Sequence, residues 1–239
     1  PNGRNINEGC GSTNPDLLKL TVSGVKADAG IALDGDGDRL IMVDHTGQII
    51  DGDRLLFILA KDRHERGLLK GPVVGTAMSN LGLEKSLNNM GIVFHRADVG
   101  DRNVLKMLKE INGNLGGEPS GHLIDLDKAT TGDGLLASLQ ILEIMLRNNL
   151  SLNELSSEML SLPQVLLNID STDSFDPFSS TNIKDEFNRL SKELGSKGRI
   201  VLRKSGTEEL IRVMVEGEDQ TKINEVAGIL AEVISENMR

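Results

Sequence analysis

The sequence has no tryptophan and no tyrosine, and its five phenylalanines are scattered. Without clustered aromatics it cannot build a platform on which bases stack, nor the belts that settle at membrane interfaces. A single cysteine, Cys10, excludes an intrachain disulfide, and no Cys/His grouping has zinc spacing. Positive charge is also short. The 26 Lys and Arg against 36 Asp and Glu leave a formal net charge of -10, which argues against nucleic acid or an anionic membrane as the main partner. The longest uninterrupted apolar run, Leu55 to Ala60, falls far below the roughly 18 residues of a membrane span. The opening PNGRNINEGC lacks the basic and apolar regions of a secretion signal. The expectation is a cytoplasmic protein, and the start on Pro1 rather than Met suggests the later part of something longer.

What the sequence does contain is length, glycine and alternation. Its 239 residues, 38% hydrophobic, suffice for two or three domains with cores of their own. The 26 glycines cluster in short bursts beside polar residues, as in loops that touch ligands. Between the bursts, β-type runs (Ala29 to Leu33, Leu40 to Val43, Pro72 to Val74, Ile92 to Phe94) alternate with helical patterns (Asp53 to Glu65, Gly82 to Asn89, Val104 to Ile111, Gly134 to Asn148). That is the signature of α/β layering. From Ser151 the pattern reads as a short serine-capped helix, and a boundary is expected near Leu162. Beyond it come a strand from Gln164, a Ser/Thr/Asp/Pro-rich loop from Ser171 to Thr181, a helix over 183–194, strands over 199–202 and 210–215, and a helix over 220–237. The expected class is therefore α/β with mixed sheets, followed by a C-terminal α+β domain.

Three loops carry chemistry. In the first, Asp34-Gly35-Asp36-Gly37-Asp38-Arg39, three carboxylates at alternate positions can converge on one hard divalent cation. An acidic solvated turn is the bland alternative. A calcium loop of EF-hand type fails because its sixth position is Arg39 rather than Gly and its twelfth is His45 rather than Glu. Magnesium, which keeps coordination sites open for phosphate, fits better. Arg39 then stands where it could neutralise a phosphoryl oxygen. The second loop, Gly116-Gly117-Glu118-Pro119-Ser120-Gly121-His122, offers an acceptor, a hydroxyl and an imidazole of the kind that bind sugar hydroxyls, although the same residues also make an ordinary turn. It does not match G-x-S-x-G, so no nucleophilic serine is implied. The third, Arg203-Lys204-Ser205-Gly206-Thr207-Glu208, with Arg212 on the following strand, has the hydroxyls, backbone N–H groups and guanidinium of a phosphate cradle. A polar hairpin turn is its alternative, and P-loop spacing is absent. His45, His64 and His95 read as isolated residues, at the surface or satisfied by their neighbours. The turns Val99-Gly100-Asp101-Arg102 and Thr130-Thr131-Gly132-Asp133-Gly134 are left open between structural and functional roles.

Taken in order, the stretches NIN, DGDGDRLIMVD, VGTAMSNLGLE, VGDR, GGEPSGH, TTGDG and RKSGTEELIRVMVEG resemble the α-D-phosphohexomutase superfamily, and most closely its bacterial phosphoglucosamine mutase branch. The resemblance implies a four-domain enzyme that converts glucosamine 6-phosphate to glucosamine 1-phosphate, for UDP-N-acetylglucosamine synthesis, through a bisphosphorylated intermediate and an enzyme phosphoserine. It implies that Asp34, Asp36 and Asp38 hold Mg2+, that Glu118 and Ser120 bind sugar hydroxyls with His122 beside them, and that Arg203, Ser205, Gly206 and Thr207 grip the non-reacting phosphate near Arg212. On this mapping residues 1–48 end the second domain, 49–161 form the third and 162–239 the fourth. Two departures stand out: Glu209 occupies a usual Pro position and Asn103 a usual Tyr position. The phosphoserine segment of T-A-S-H-N-P type has no counterpart. The expectation is thus a C-terminal portion, silent without the N-terminal domains. A non-catalytic phosphosugar-binding protein, or a phosphomannomutase or phosphoglucomutase, is the alternative.

Overall fold

The computed structural model describes residues 2–171, 175–205 and 209–238. The chain divides into two compact units, Pro1–Leu160 and Ser161–Arg239.

The first unit opens with helix α1 (Asp16–Val25) and a small antiparallel sheet of β1 (Ala29–Leu33), β2 (Leu40–Asp44) and β3 (Ile49–Ile50), in the order β1-β2-β3. Helix α1 leaves little trace in the sequence for a physical reason: no side chain caps its start, and Val22 is its one buried residue. Next come α2 (Gly52–Glu65), β4 (Val73–Thr76), α3 (Leu81–Asn89), β5 (Phe94–Ala97), α4 (Asp101–Glu110), β6 (Leu115–Gly117), β7 (Leu123–Asp125), α5 (Gly134–Asn148) and α6 (Leu152–Ser157). The sheet order is β5-β4-β6-β7. β4 runs parallel to both β5 and β6, and β7 returns antiparallel to β6. A core of Leu55, Leu56, Phe57, Leu83, Leu115 and Ile141, among others, lies between this sheet and helices α2, α3 and α5. Asp51 and Asp133 start α2 and α5 by accepting from Arg54 N and Leu136 N. Ser151 and Glu154 form the capping box expected for α6.

Gly116 and Gly117, read from sequence as part of a loop, belong to strand β6. A Cβ on Gly116 would lie 2.7 Å from the Val74 carbonyl oxygen, so glycine here permits the close approach of two strands rather than a bend.

The second unit is an antiparallel sheet in the order β8-β10-β9, with β8 (Gln164–Asp170), β9 (Gly198–Lys204) and β10 (Leu210–Gly217) covered on one face by α7 (Thr181–Leu194) and α8 (Gln220–Asn237). Along β8, Val165, Leu167 and Ile169 face that core while the alternate residues are exposed, the period-two pattern of a one-sided sheet. The polar stretch read as a plain loop supplies helix starts: Asp176 caps a short 3-10 turn, Pro177–Ser179, and Ser180 caps α7. Among the described residues, no helix is long and apolar enough to cross a membrane.

Candidate active site

The Asp34 loop is a tight connection between β1 and β2, closed by a hydrogen bond from Gly37 N to Asp34 O of 3.2 Å. It gathers three carboxylates: one oxygen each of Asp34, Asp36 and Asp38 lies within 4.8 Å of the others. Asp34 is buried, Asp38 half-buried and Asp36 exposed. Arg39 folds back over the first of them, its Nε donating to Asp34 Oδ2 at 2.6 Å and its backbone N to Oδ1 at 3.1 Å. Burial pushes the Asp34 carboxyl up, but these Arg39 contacts outweigh it and hold the group below the usual carboxylate range. Asp38 moves the other way: burial raises it, the charges of Asp34 and Asp36 add to the rise, and His122 opposes it. Three oxygen donors this close, repelling one another, suit a small divalent cation with open coordination sites.

The Glu118 loop is zipped onto this one. Arg39 and His122 form an isolated antiparallel bridge, and Leu40 N donates to Gly121 O at 2.9 Å. His122, with its side chain only 6% exposed, places Nε2 3.2 Å from Asp38 Oδ2 and 3.9 Å from Asp101 Oδ2. Glu118 accepts from Gly100 N at 3.2 Å. Burial raises its carboxyl, with the Gly100 N–H and His122 pulling against that and Asp101 adding to it. Ser120 is exposed at the loop's tip. Loops 98–100 and 118–122 follow β5 and β6, at the carboxyl ends of parallel strands, where open α/β sheets bind ligands.

Both turns left open by the sequence converge here. Gly100 and Asp101 meet Glu118 and His122 as described. From the 130–134 segment, Gly132 packs so closely against the His122 imidazole that a Cβ would lie 2.6 Å from Nε2, and Gly134 N donates to Gly37 O at 2.9 Å. The signal in the sequence was the glycine beside an aspartate in each turn. What it lacked was any indication of which distant loop each would meet. Asn103, one of the two departures, closes its own loop by donating to Val99 O at 2.9 Å. Glu209, the other, is exposed and its carbonyl accepts from Ser171 N.

In the second unit Arg203 and Arg212 are direct cross-strand partners on β9 and β10. Like charges placed opposite each other are unfavourable unless an anion lies with them. Burial lowers the Arg203 pKa and the neighbouring Arg212 lowers it further, and its buried Nε–H has no acceptor among the described residues. Ser205 is buried, its N–H donating to Leu210 O at 2.8 Å. Gly206 and Thr207 lie outside the described residues.

Two family models match. Residues 51–162 fit the phosphoglucomutase/phosphomannomutase alpha/beta/alpha domain III, and residues 166–233 fit the phosphoglucomutase/phosphomannomutase C-terminal domain. The chain belongs to the phosphohexomutase superfamily. Curated relatives within it include the phosphoglucosamine mutases of Photorhabdus laumondii, 54% identical over 98% of this chain and 53% of that protein, and of Legionella pneumophila strain Lens, 49% identical over 99% of this chain and 52% of that protein. The chain thus spans about half the length of the curated relatives it matches. Among solved structures, Aspergillus fumigatus N-acetylphosphoglucosamine mutase in complex with GlcNAc-6P and magnesium superimposes with a TM-score of 0.78 at 19% identity, covering 95% of this chain and 57% of that one. A phosphoglucomutase/phosphomannomutase family protein from Burkholderia thailandensis does so with a TM-score of 0.77 at 21% identity, covering 94% and 50%. These two likenesses establish the phosphohexomutase fold, α/β with mixed sheets followed by an α+β unit, as the sequence led one to expect.

Proposed function

We propose that this chain is the metal-, sugar- and phosphate-binding half of a phosphoglucosamine mutase, interconverting glucosamine 6-phosphate and glucosamine 1-phosphate in the cytoplasm. The observation that carries the reading is the zipping of the Asp34 loop onto the Glu118 loop through the Arg39–His122 bridge, which brings a cation-type donor set and a sugar-type donor set into one site. The preference for glucosamine rests on the named relatives, about half identical to this chain.

In this reading Asp34, Asp36 and Asp38 hold Mg2+, and the ion when bound supplies positive charge to a transferring phosphoryl group. Arg39 stands at the rim of that site and neutralises a phosphoryl oxygen. Glu118 and Ser120 accept and donate to sugar hydroxyls, orienting the ring. His122, fixed between Asp38 and Asp101, adds an imidazole contact on the same side. Arg203 and Arg212, with Ser205, Gly206 and Thr207, grip the phosphate that does not react, a task suited to paired guanidinium groups. The phosphoserine belongs to an N-terminal half, so the chain alone binds without turning over.

The same reading makes residues 1–48 the end of a second domain, 49–161 a third and 162–239 a fourth. The apolar surface supports the first of these assignments. Leu17, Leu20 and Val25 on α1 and Ile31 on β1 are exposed. Among the described residues β1 has a strand partner on one side only, with Ser12 N reaching Leu33 O on the other, so apolar side chains lie bare beside an open sheet edge.

Arg203→Lys keeps the charge and loses the fork. In the full-length enzyme it is expected to raise KM for glucosamine 6-phosphate about tenfold, the loss of one charge-assisted hydrogen bond of ~1.5 kcal/mol, with the melting temperature unchanged. A KM equal to that of the unaltered enzyme would remove Arg203 from the phosphate grip. Isothermal titration of glucosamine 6-phosphate against the chain checks the reading as a whole, and absence of saturable binding in the presence of Mg2+ would count against it.

A further inference from the structure

Asp53 is a buried carboxyl to which the proposed chemistry gives no task. It sits in the first turn of α2, 2% exposed, where a helix start ordinarily presents its acids to solvent. Its Oδ2 accepts from Asn80 N at 2.7 Å, while Oδ1 is buried with no hydrogen-bond partner among the described residues. Buried polar atoms are rarely left so.

Its neighbours on either side explain the position. Gly52 N donates to Pro119 O at 3.1 Å, and a Cβ on Gly52 would overlap the Glu118 carbonyl oxygen and lie 2.6 Å from Gly121 N. The start of α2 is therefore in backbone contact with the Glu118 loop, with no slack between them. On the other side, Asn80 caps α3 through Gly82 N, and the 76–80 turn is clamped by Arg96, which donates to Thr76 O at 3.0 Å and Ser79 O at 2.6 Å. Arg96 is fixed in turn by Glu84 and by stacking on Phe94. A continuous chain of contacts thus runs from a rigid turn, through the Asp53 carboxyl, to the backbone of Glu118, Pro119 and Gly121.

We infer that Asp53 is a positioning residue for the sugar loop, its carboxyl pinning the start of α2 to the 76–80 turn and thereby setting where Glu118 and Ser120 stand. The inference rests on the proposed function only in calling 118–122 the sugar loop. The groups facing the carboxyl make the tie sensitive to protons. Asp51, the cap of the same helix, adds negative charge; Arg96 of β5 opposes it but is already engaged by Glu84 of α3; the turn offers the Asn80 N–H and the Ser79 hydroxyl; the sugar loop presents backbone alone. Burial, with the charge of Asp51, pushes Asp53 up to about 7 against Arg96 and these hydrogen bonds. Because the folded value lies above the unfolded one, the stabilisation is present at low pH and is lost as pH rises from the ordinary carboxylate range through about 7.

The test is amide hydrogen exchange of the chain itself. Protection of Glu118 and Gly121, whose N–H groups bond within the loop, is expected to fall at least tenfold between pH 5 and pH 8 relative to amides of β9 and β10. In Asp53→Asn, which keeps an acceptor for Asn80 N and cannot ionise, protection is expected to stay level, and in Asp53→Ala to be low throughout. In the full-length enzyme the same Asn variant should abolish a rise in KM for glucosamine 6-phosphate across pH 6–8 while leaving kcat within twofold. Level protection in the unaltered chain, or the same fall in Asp53→Asn, would overturn the inference. So would an Asp53→Ala variant that melts earlier but keeps the loop protected. The exchange measurement involves no turnover, so a failure of the mutase reading would leave it interpretable.

Discussion

Asp36→Ala in the full-length enzyme is expected to lower kcat by roughly 10³-fold with no loss of thermal stability. Metal stabilisation of developing charge contributes several kcal/mol, and each 1.36 kcal/mol is tenfold in rate. Among the three carboxylates Asp36 gives the cleanest test. Asp34 is buried and holds Arg39 through two hydrogen bonds, and Asp38 meets His122, so replacing either disturbs the loop as well as the donor set. Asp36 is exposed, so removing it takes away one proposed ligand and little else. Calorimetric titration of MgCl2 into the unaltered and Asp36→Ala chains should show weaker binding in the variant. An unchanged kcat at limiting magnesium would exclude the loop as the metal centre.

Gly121→Ala is the substitution expected to cost the most stability, about 2–5 kcal/mol. Gly121 has a φ of 95°, outside the range L-residues adopt readily, and a Cβ there would overlap the Leu40 carbonyl oxygen and lie 2.7 Å from its carbon and 2.9 Å from its nitrogen. The strained φ alone costs ~1–2 kcal/mol, and overpacking against backbone that cannot rotate away adds ~1–3 kcal/mol. Relief of the clash requires β2 and the Glu118 loop to separate, which breaks the Leu40 N to Gly121 O hydrogen bond and the Arg39–His122 bridge. Gly37→Ala is the control: its φ is 75° but nothing lies within 4 Å of a Cβ, so only the strain of ~1–2 kcal/mol applies. At ~2–4 °C per kcal/mol for a chain of this size, Gly121→Ala should melt about 10 °C below the unaltered protein. A fall no larger than that of Gly37→Ala would show that the two loops are not joined as described.

How far the sequence revealed this site depended on whether its partners were local. The convergence of Asp34, Asp36 and Asp38 was legible because the three carboxylates and their glycines are contiguous. The Glu118 loop was half legible. Its polar side chains could be picked out, but their surroundings come from Gly100, Asp101, Gly132 and Asp38, distant in sequence and brought together by the sheet order β5-β4-β6-β7 and the Arg39–His122 bridge. The long helices were located well, α5 because it buries Ala137, Ser138, Ile141 and Ile144 on one face and α2 because its apolar run 55–60 is buried all round, whereas α1, which buries almost nothing, was passed over. Asp53 could not be recognised at all. An acidic residue in the first turn of a helix is what the helix dipole favours at a solvated end, and only the fold reveals that this end is covered by a loop and a turn.

The central claim, that this chain supplies the metal and sugar loops of a mutase whose phosphoserine lies in another half, is tested most directly by phosphorus NMR of glucosamine 6-phosphate with Mg2+ and a bisphosphate activator. Two samples suffice: residues 1–239 alone, and the full-length enzyme in which they follow the N-terminal half that relatives carry. Glucosamine 1-phosphate is expected in the second sample and none in the first. Sustained conversion by the isolated chain, or none by the full-length enzyme, would contradict it.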